Sequence, residues 1–199
     1  ASFNNSYKIG PQVFAAWMRI LAGVPDAVLW LLGDAQATPA QRLREQAALA
    51  GIDPARVLFQ PKLPHERYLA LYRHVDLFLD TWPYGAHTTA SDALWAGAPV
   101  LTRRGETFAA RVGTSLLHAL GLPGMALDSV EDYVVRAIEL GCHPQLLAAQ
   151  REALSRARAQ SALFDMRRFA RHFEGAVMAM HERARAGLRQ WARGAEGGA

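Results

Sequence analysis

Cysteine is almost missing from this chain, and lysine is scarce. A single thiol, Cys142, excludes an internal disulfide and makes the cytoplasm the expected compartment. Lysine occurs only at positions 8 and 62, so nearly all positive charge is carried by arginine. Long apolar runs are also lacking. Those at 28–32, 57–59, 75–79 and 98–101 fall far short of the roughly 20 residues that cross a bilayer, and no cleavable signal segment heads the chain. Neither G-x-G-x-x-G nor the Walker pattern occurs, which removes a ready-made dinucleotide or ATP reading. No Cys/His set has zinc spacing and no aspartate pair suits magnesium. An anion site in this chain is therefore expected to be metal-free, with its positive charge drawn from lysine, histidine and backbone amides.

What remains is ordinary globular composition. The chain has 199 residues, 51% of them hydrophobic, and a net charge of +4, enough to bury one sizeable core. It opens without an initiator methionine and soon enters helix-like sequence, as a fragment or processed chain would. The arginine excess lies after Arg151, on what reads as either a solvated helical face or a surface for nucleic acid, an anionic membrane or another domain. The arginines are not interleaved with aromatics, so nucleic acid is the less favoured partner.

Periodicity gives the fold class. "GPQVFAAWMRILAG" has Pro11 at a helix start and Val13, Phe14, Trp17, Ile20 and Leu21 at helical spacing. "AVLWLLG" reads as a strand covered on both faces, and 39–50 as a helix closed by Gly51. Strand "RVLFQP", helix 64–75, strand "DLFLDT", helix "TASDALWAG" and strand "APVLT" follow, then helices over 108–121 and 129–141. Short apolar strands alternating with helices predict an α/β fold, a Rossmann-type open parallel sheet. After His143 only helices are expected: 144–159, and a long one near 165–191 whose apolar side carries Phe169, Phe173, Val177, Met180, Ala184, Leu188 and Trp191. The expected organisation is a lobe over 1–160, a helical extension over 161–193 packing on this lobe or an upstream one, and a disordered tail at 194–199.

In such sheets ligands bind beyond the carboxyl ends of the strands. Segments 2–8, 60–68 and 80–92 reach that edge, and "DTWPYGAHTTASD" is the richest of them. Pro83 stops the strand, Gly85 permits a turn, and Thr89 and Asp92 stand at capping-box spacing. A helix start near Thr88 offers free N–H groups and a positive dipole end to an anion; a purely structural cap is the alternative. Lys8 can reach a phosphate as a point charge or remain a solvated lysine. Asn5 can donate to the same oxygens or form a local turn. His87 can donate to phosphate, move a proton or pack beside Tyr84. Tyr68 and His65 share one helix face; Tyr68 can stack on a base or fill the core, and the backbone at Leu63 and Pro64 can read a base edge. Glu106 and Arg111, in the second glycine loop "TRRGETFAARV", can orient a substrate or pair with each other.

"FNNSYKI", "VLWLLG", "RVLFQP", "VDLFLDTWPYGAHTTASDALWAGAPVLT", "RRGETFAARV" and "SALFD" together resemble the C-terminal catalytic lobe of the O-linked N-acetylglucosamine transferase family, over about residues 2–185. The resemblance implies the nucleotide-binding half of a two-domain GT-B glycosyltransferase. It implies an inverting reaction with no metal or other cofactor and a UDP-sugar as donor substrate. The partners it implies are an upstream catalytic lobe, tetratricopeptide repeats and a protein acceptor. It places Lys8 and His87 in the catalytic machinery and Lys8, Asn5, His87, Thr88 and Thr89 at the diphosphate, with Asp92 near the ribose. His65 stands where animal members carry a lysine, Tyr68 where they carry a histidine stacked on uracil, and Asn5 where relatives often have glutamine. A general base is expected in the upstream lobe, so this chain alone should bind UDP weakly and turn over nothing. A UDP-glucose-dependent protein glucosyltransferase, a UDP-sugar epimerase and a non-catalytic scaffold domain are the alternatives.

Overall fold

The computed structural model describes residues 1–33 and 38–186, which fall into two compact units divided between Ser161 and Ala162. In the first unit, helices and short parallel strands alternate as the periodicity predicts. The order is α1 (Pro11–Gly23), β1 (Leu29–Leu32), α2 (Thr38–Leu49), β2 (Val57–Gln60), α3 (His65–Leu71), β3 (Phe78–Leu79), α4 (Thr88–Ala96), β4 (Val100–Arg103), α5 (Val112–Ala119), β5 (Ala126–Leu127), α6 (Val130–Cys142) and α7 (Pro144–Gln160).

β1 pairs with β2, and β4 lies between β3 and β5, every pairing parallel. The opening residues join the two groups. Ser2 bridges Leu31 in parallel and donates its N–H to the Trp30 carbonyl, while the Ala1 carbonyl accepts from the Leu79 N–H. The strand order is therefore β2, β1, Ala1–Ser2, β3, β4, β5, an open parallel sheet whose carboxyl edge all face one way. Because a parallel sheet is covered on both faces, its strands are apolar on both sides: Leu29, Leu31, Val57, Phe78, Leu79, Val100 and Leu101 are buried.

α1 and α6 pack together on this sheet. Trp17, fully buried, donates its indole N–H to the Tyr133 hydroxyl at 3.2 Å, and that hydroxyl donates to the Asp80 carbonyl at 3.1 Å. Two helices are thus tied to the end of β3, where the candidate site begins. A cavity of about 730 Å³ lies at the opposite, amino end of the strands, lined by Trp17, Leu21, Leu29, Leu77 and Leu140, and includes none of the expected site residues.

Several local expectations are corrected. The helix expected over 64–75 is α3 followed by a 3-10 turn at Tyr72–His74, and the one over 108–121 opens as a 3-10 turn at Phe108–Ala110 before α5. β5 was not expected from the sequence, and the strand expected over "DLFLDT" is only the two residues of β3. Gly97, at φ 90°, closes α4 in the left-handed region that glycine adopts without strain.

The second unit contains α8 (Met166–Arg185), capped at its start by the Asp165 carboxylate, which accepts from the Arg168 N–H. Phe169, Phe173, Val177 and Met180 are exposed along it, with the two phenylalanine rings stacked at 6.1 Å. Leu188, Trp191 and the 194–199 tail lie outside the described residues. Among the described residues no helix is long and apolar enough to cross a membrane.

Candidate functional site

Beyond the end of β3 the chain makes a tight turn, Asp80 to His87, that includes a cis Trp82–Pro83 peptide and delivers the backbone to the start of α4. The turn is built around Asp80, whose side chain is buried. Its Oδ1 accepts from the Thr81 N–H at 2.7 Å and the Ala86 N–H at 2.6 Å, and its Oδ2 accepts from the Thr102 hydroxyl at 2.7 Å. Burial pushes the Asp80 carboxyl up to about 6, and these donors and Lys8 oppose the rise. Gly85 and Gly113 line the carboxylate. A Cβ at Gly113 would stand 2.8 Å from Oδ2, so only glycine fits there.

Lys8, at the end of a 3-10 turn leading from the opening strand segment, reaches across to this turn. Its ammonium donates to the Gly85 carbonyl at 2.9 Å and lies 4.2 Å from the centre of the Tyr84 ring. Burial lowers the Lys8 pKa, and the Asp80 charge opposes the lowering. His87 stacks on Tyr84 at 5.2 Å and meets Phe108 edge-on at 6.0 Å. Its Nε2 is 3.2 Å from the Ala109 carbonyl, which can only accept, so Nε2 carries the hydrogen and Nδ1 is left for another partner. Lys8, Tyr84, His87 and Phe108 form one column along the carboxyl edge.

The capping box expected from Thr89 and Asp92 does not form. α4 begins at Thr88 with His87 as its N-cap and no side-chain cap. The Thr89 hydroxyl donates instead to the Asn4 Oδ1 at 2.8 Å, because the chain's opening segment lies against the helix start. With no side chain occupying them, the N–H groups of Thr88 and Thr89 point out of a helix end that carries a positive partial charge. Asn4 is buried, and its amide also donates to the Thr81 hydroxyl at 3.1 Å, so one asparagine ties the turn to the helix. Sequence reasoning missed Asn4 and chose its neighbour Asn5, which is exposed and caps nothing. An asparagine pair in an extended stretch signals which one faces inward only once the strand's partners are known.

His65 and Asp92 are brought together: Nε2 and Oδ1 are 4.0 Å apart, joining the start of α3 to the middle of α4. Burial raises the Asp92 pKa and His65 opposes it. Leu63 is half-buried, and Pro64 is exposed as the N-cap of α3. Tyr68 lies in the core. It is 9% exposed, its ring packs against Phe3 at 5.3 Å and Tyr72 at 5.7 Å, and its hydroxyl donates to the Phe3 carbonyl at 3.2 Å. Its phenol is pushed up to about 12 by burial. This packing, and not a platform for a base, is the role its geometry displays. Replacing Tyr68 by alanine is expected to cost about 3 kcal/mol of stability in a thermal melt, and Tyr68→Phe only about 1 kcal/mol. Equal, small losses would show that the ring is not part of the core. Glu106 and Arg111 are exposed, and no ion pair joins them among the described residues. No group of three or more His, Cys, Asp or Glu side chains is placed to hold a metal, again among the described residues.

The open parallel sheet, with a lysine, a histidine and an uncapped helix start at its carboxyl edge, is the α/β architecture of a GT-B glycosyltransferase lobe, a class fixed by its structural match to an O-GlcNAc transferase. The comparisons agree. Residues 1–173 match glycosyl transferase family 41, and the chain belongs to that family. It is 34% identical over 187 residues to the UDP-N-acetylglucosamine--peptide N-acetylglucosaminyltransferase of Caenorhabditis elegans, covering 94% of this chain and 16% of that protein. It is 35% identical to the probable UDP-N-acetylglucosamine--peptide N-acetylglucosaminyltransferase SEC of Arabidopsis thaliana, covering 90% of this chain and 18% of that protein. Among solved structures, the K341M mutant of Thermobaculum terrenum O-GlcNAc transferase superposes with a TM-score of 0.84 at 33% identity, covering 90% of this chain and 35% of that one. The chain thus spans under a fifth of the length of these curated relatives.

Proposed function

We propose that this chain is the donor-binding lobe of a protein glycosyltransferase that moves N-acetylglucosamine from UDP-N-acetylglucosamine to serine or threonine hydroxyls. The observation that carries the reading is the convergence of Lys8, His87 and the free N–H groups of Thr88 and Thr89 around one turn at the sheet's carboxyl edge. The names of the relatives support this donor and acceptor over UDP-glucose, over epimerisation and over a scaffold role. The upstream catalytic lobe, tetratricopeptide repeats and the protein acceptor belong to the same proposal.

In the proposed reaction the acceptor oxygen forms a bond to the anomeric carbon as the bond from that carbon to the β-phosphate oxygen breaks, with inversion. The electron pair leaves on UDP, and the acceptor's proton passes to a base in the upstream lobe. Negative charge therefore grows on the diphosphate. Lys8 and the α4 amides are already oriented and partly desolvated, so they meet that charge without reorganising. Each hydrogen bond to a charged oxygen contributes about 1.5–3 kcal/mol, enough to bind and stabilise a leaving diphosphate with no metal or other cofactor. His87, its Nε2 engaged by Ala109, presents Nδ1, which accepts when the ring is neutral and donates to phosphate when it is charged. Asp92, beside His65, is the proposed ribose contact, and Asn5, Leu63 and Pro64 are peripheral nucleotide contacts.

Isothermal titration of UDP into the chain joined to its upstream lobe tests the reading. Binding is expected in EDTA and is expected to be unchanged by magnesium. A folded two-lobe protein that takes up no UDP would return the chain to the scaffold alternative, and binding that requires magnesium would refute the metal-free mechanism.

A further inference from the structure

The Gly85–Ala86 peptide is held at both ends by opposite charges. Its carbonyl accepts from the Lys8 ammonium at 2.9 Å, and its N–H donates to the Asp80 carboxylate at 2.6 Å. We propose that Asp80 is the buried counter-charge of Lys8, acting through this one peptide group, and so a positioning residue of the donor site. The inference rests on the donor-site reading above for its function and on the turn's own geometry for its mechanism.

The coupling follows from the arrangement. A peptide polarised by an anion on its N–H is a stronger acceptor at its carbonyl, and hydrogen bonds in series strengthen one another. The ammonium is partly desolvated, which disfavours its charge, and Asp80 is the charged group that favours it. The surroundings leave few other candidates. Asp80 faces the Thr81 and Ala86 amides of its own turn, the Thr102 hydroxyl from β4, Gly113 from α5, the Tyr133 phenol from α6 and Lys8. Lys8 faces Asp80 and the Tyr84 ring, on which His87 is stacked.

Stability alone does not account for a carboxylate here. A buried carboxyl raised to about 6 from 3.8 favours folding when protonated, so its contribution is fully present below the lower value and is lost as pH rises through the upper one. At neutral pH ionised Asp80 therefore works against the fold. Asparagine would keep the shape: its oxygen can accept from both amides and its NH2 can donate to the Thr102 hydroxyl. What asparagine removes is the charge, and that charge is what Lys8 uses.

The test follows Lys8 directly in the ligand-free 199-residue chain. With only Lys8 and Lys62 present, the two side-chain Cε resonances are assigned by one substitution and titrated by NMR. In Asp80→Asn the Lys8 titration is expected to move to lower pH while Lys62 stays in place, and the variant is expected to melt no lower than the parent above pH 6. A Lys8 titration that does not move would overturn the coupling. If Asp80→Asn fails to fold, the parent chain is compared with Thr102→Val. The Lys8 resonance should show an inflection as Asp80 ionises, displaced to higher pH when the hydroxyl donor is lost; an inflection absent or unmoved overturns the proposal.

The second arm titrates UDP-N-acetylglucosamine into the two-lobe protein at pH 7 and pH 9. Asp80→Asn should lose more affinity across that interval than the parent, because without the Asp80 charge Lys8 gives up its proton at lower pH. An identical decline in both, with Lys8 displaced in the first arm, would refute a role in donor binding. No binding by the parent would refute the donor-site reading itself, and the Lys8 titration would still decide the coupling.

Discussion

Lys8→Ala is expected to weaken UDP binding by roughly 10- to 150-fold, the equivalent of one charge-assisted hydrogen bond of about 1.5–3 kcal/mol, and nearly to abolish transfer in the two-lobe protein. The loss should be larger in turnover than in binding, because the leaving diphosphate carries more charge in the transition state than in the bound donor. Lys8 donates to the Gly85 carbonyl on the Asp80–His87 turn. Its removal therefore takes away the one lysine at the site and leaves Asp80 as an uncompensated buried anion. Calorimetric titration of UDP and single-turnover transfer measure the two losses. Unchanged affinity and turnover would remove Lys8 from the site.

Trp17→Ala is expected to lower stability by about 3–5 kcal/mol, and the melting temperature by roughly 10 °C for a chain of this size. Trp17 is wholly buried between α1 and α6 and donates to Tyr133, whose hydroxyl in turn donates to the Asp80 carbonyl. Deleting the indole opens a cavity and also removes the donor that orients this phenol. The effect should reach the site, with UDP affinity falling in protein that remains folded. A melt shifted by only a degree or two would show that the α1–α6 contact can close over the gap.

The two substitutions differ in kind. Lys8 works through charge at a half-buried edge, and Trp17 works through packed volume far from any ligand. Measured together in one protein, they separate loss of function by chemistry from loss of function by unfolding. Tyr68→Ala belongs with Trp17 in this comparison, since its ring is part of the Phe3 and Tyr72 cluster.

Much of the fold was legible before any coordinates. Strand and helix alternation is a local property, written in the spacing of apolar side chains, so α1, β1, β2, α4, β4, α6 and α7 lie close to where periodicity puts them. The position of the glycine turn was legible too, since a parallel sheet opens at its carboxyl edge and the turn before Thr88 lies there. Charge scarcity marked Lys8, one of only two lysines.

Tertiary structure decided which neighbours those residues meet. Asn4 reaches Thr81 and Thr89 across 77 and 85 positions of sequence, separations over which no local pattern extends. Those bonds displaced the capping box that Thr89 and Asp92 spell out locally, because a hydroxyl offered a buried amide partner satisfies that partner in preference to the backbone. Tyr68 turned inward for the same reason: the ring gains more from burial against Phe3 and Tyr72 than helix position reveals. The pairing of Asp80 with Lys8 depends on how one peptide is oriented at the end of β3. Sequence by itself determined the elements and the edge at which they gather; only the folded chain determined burial and long-range hydrogen bonding, because both depend on segments distant in sequence.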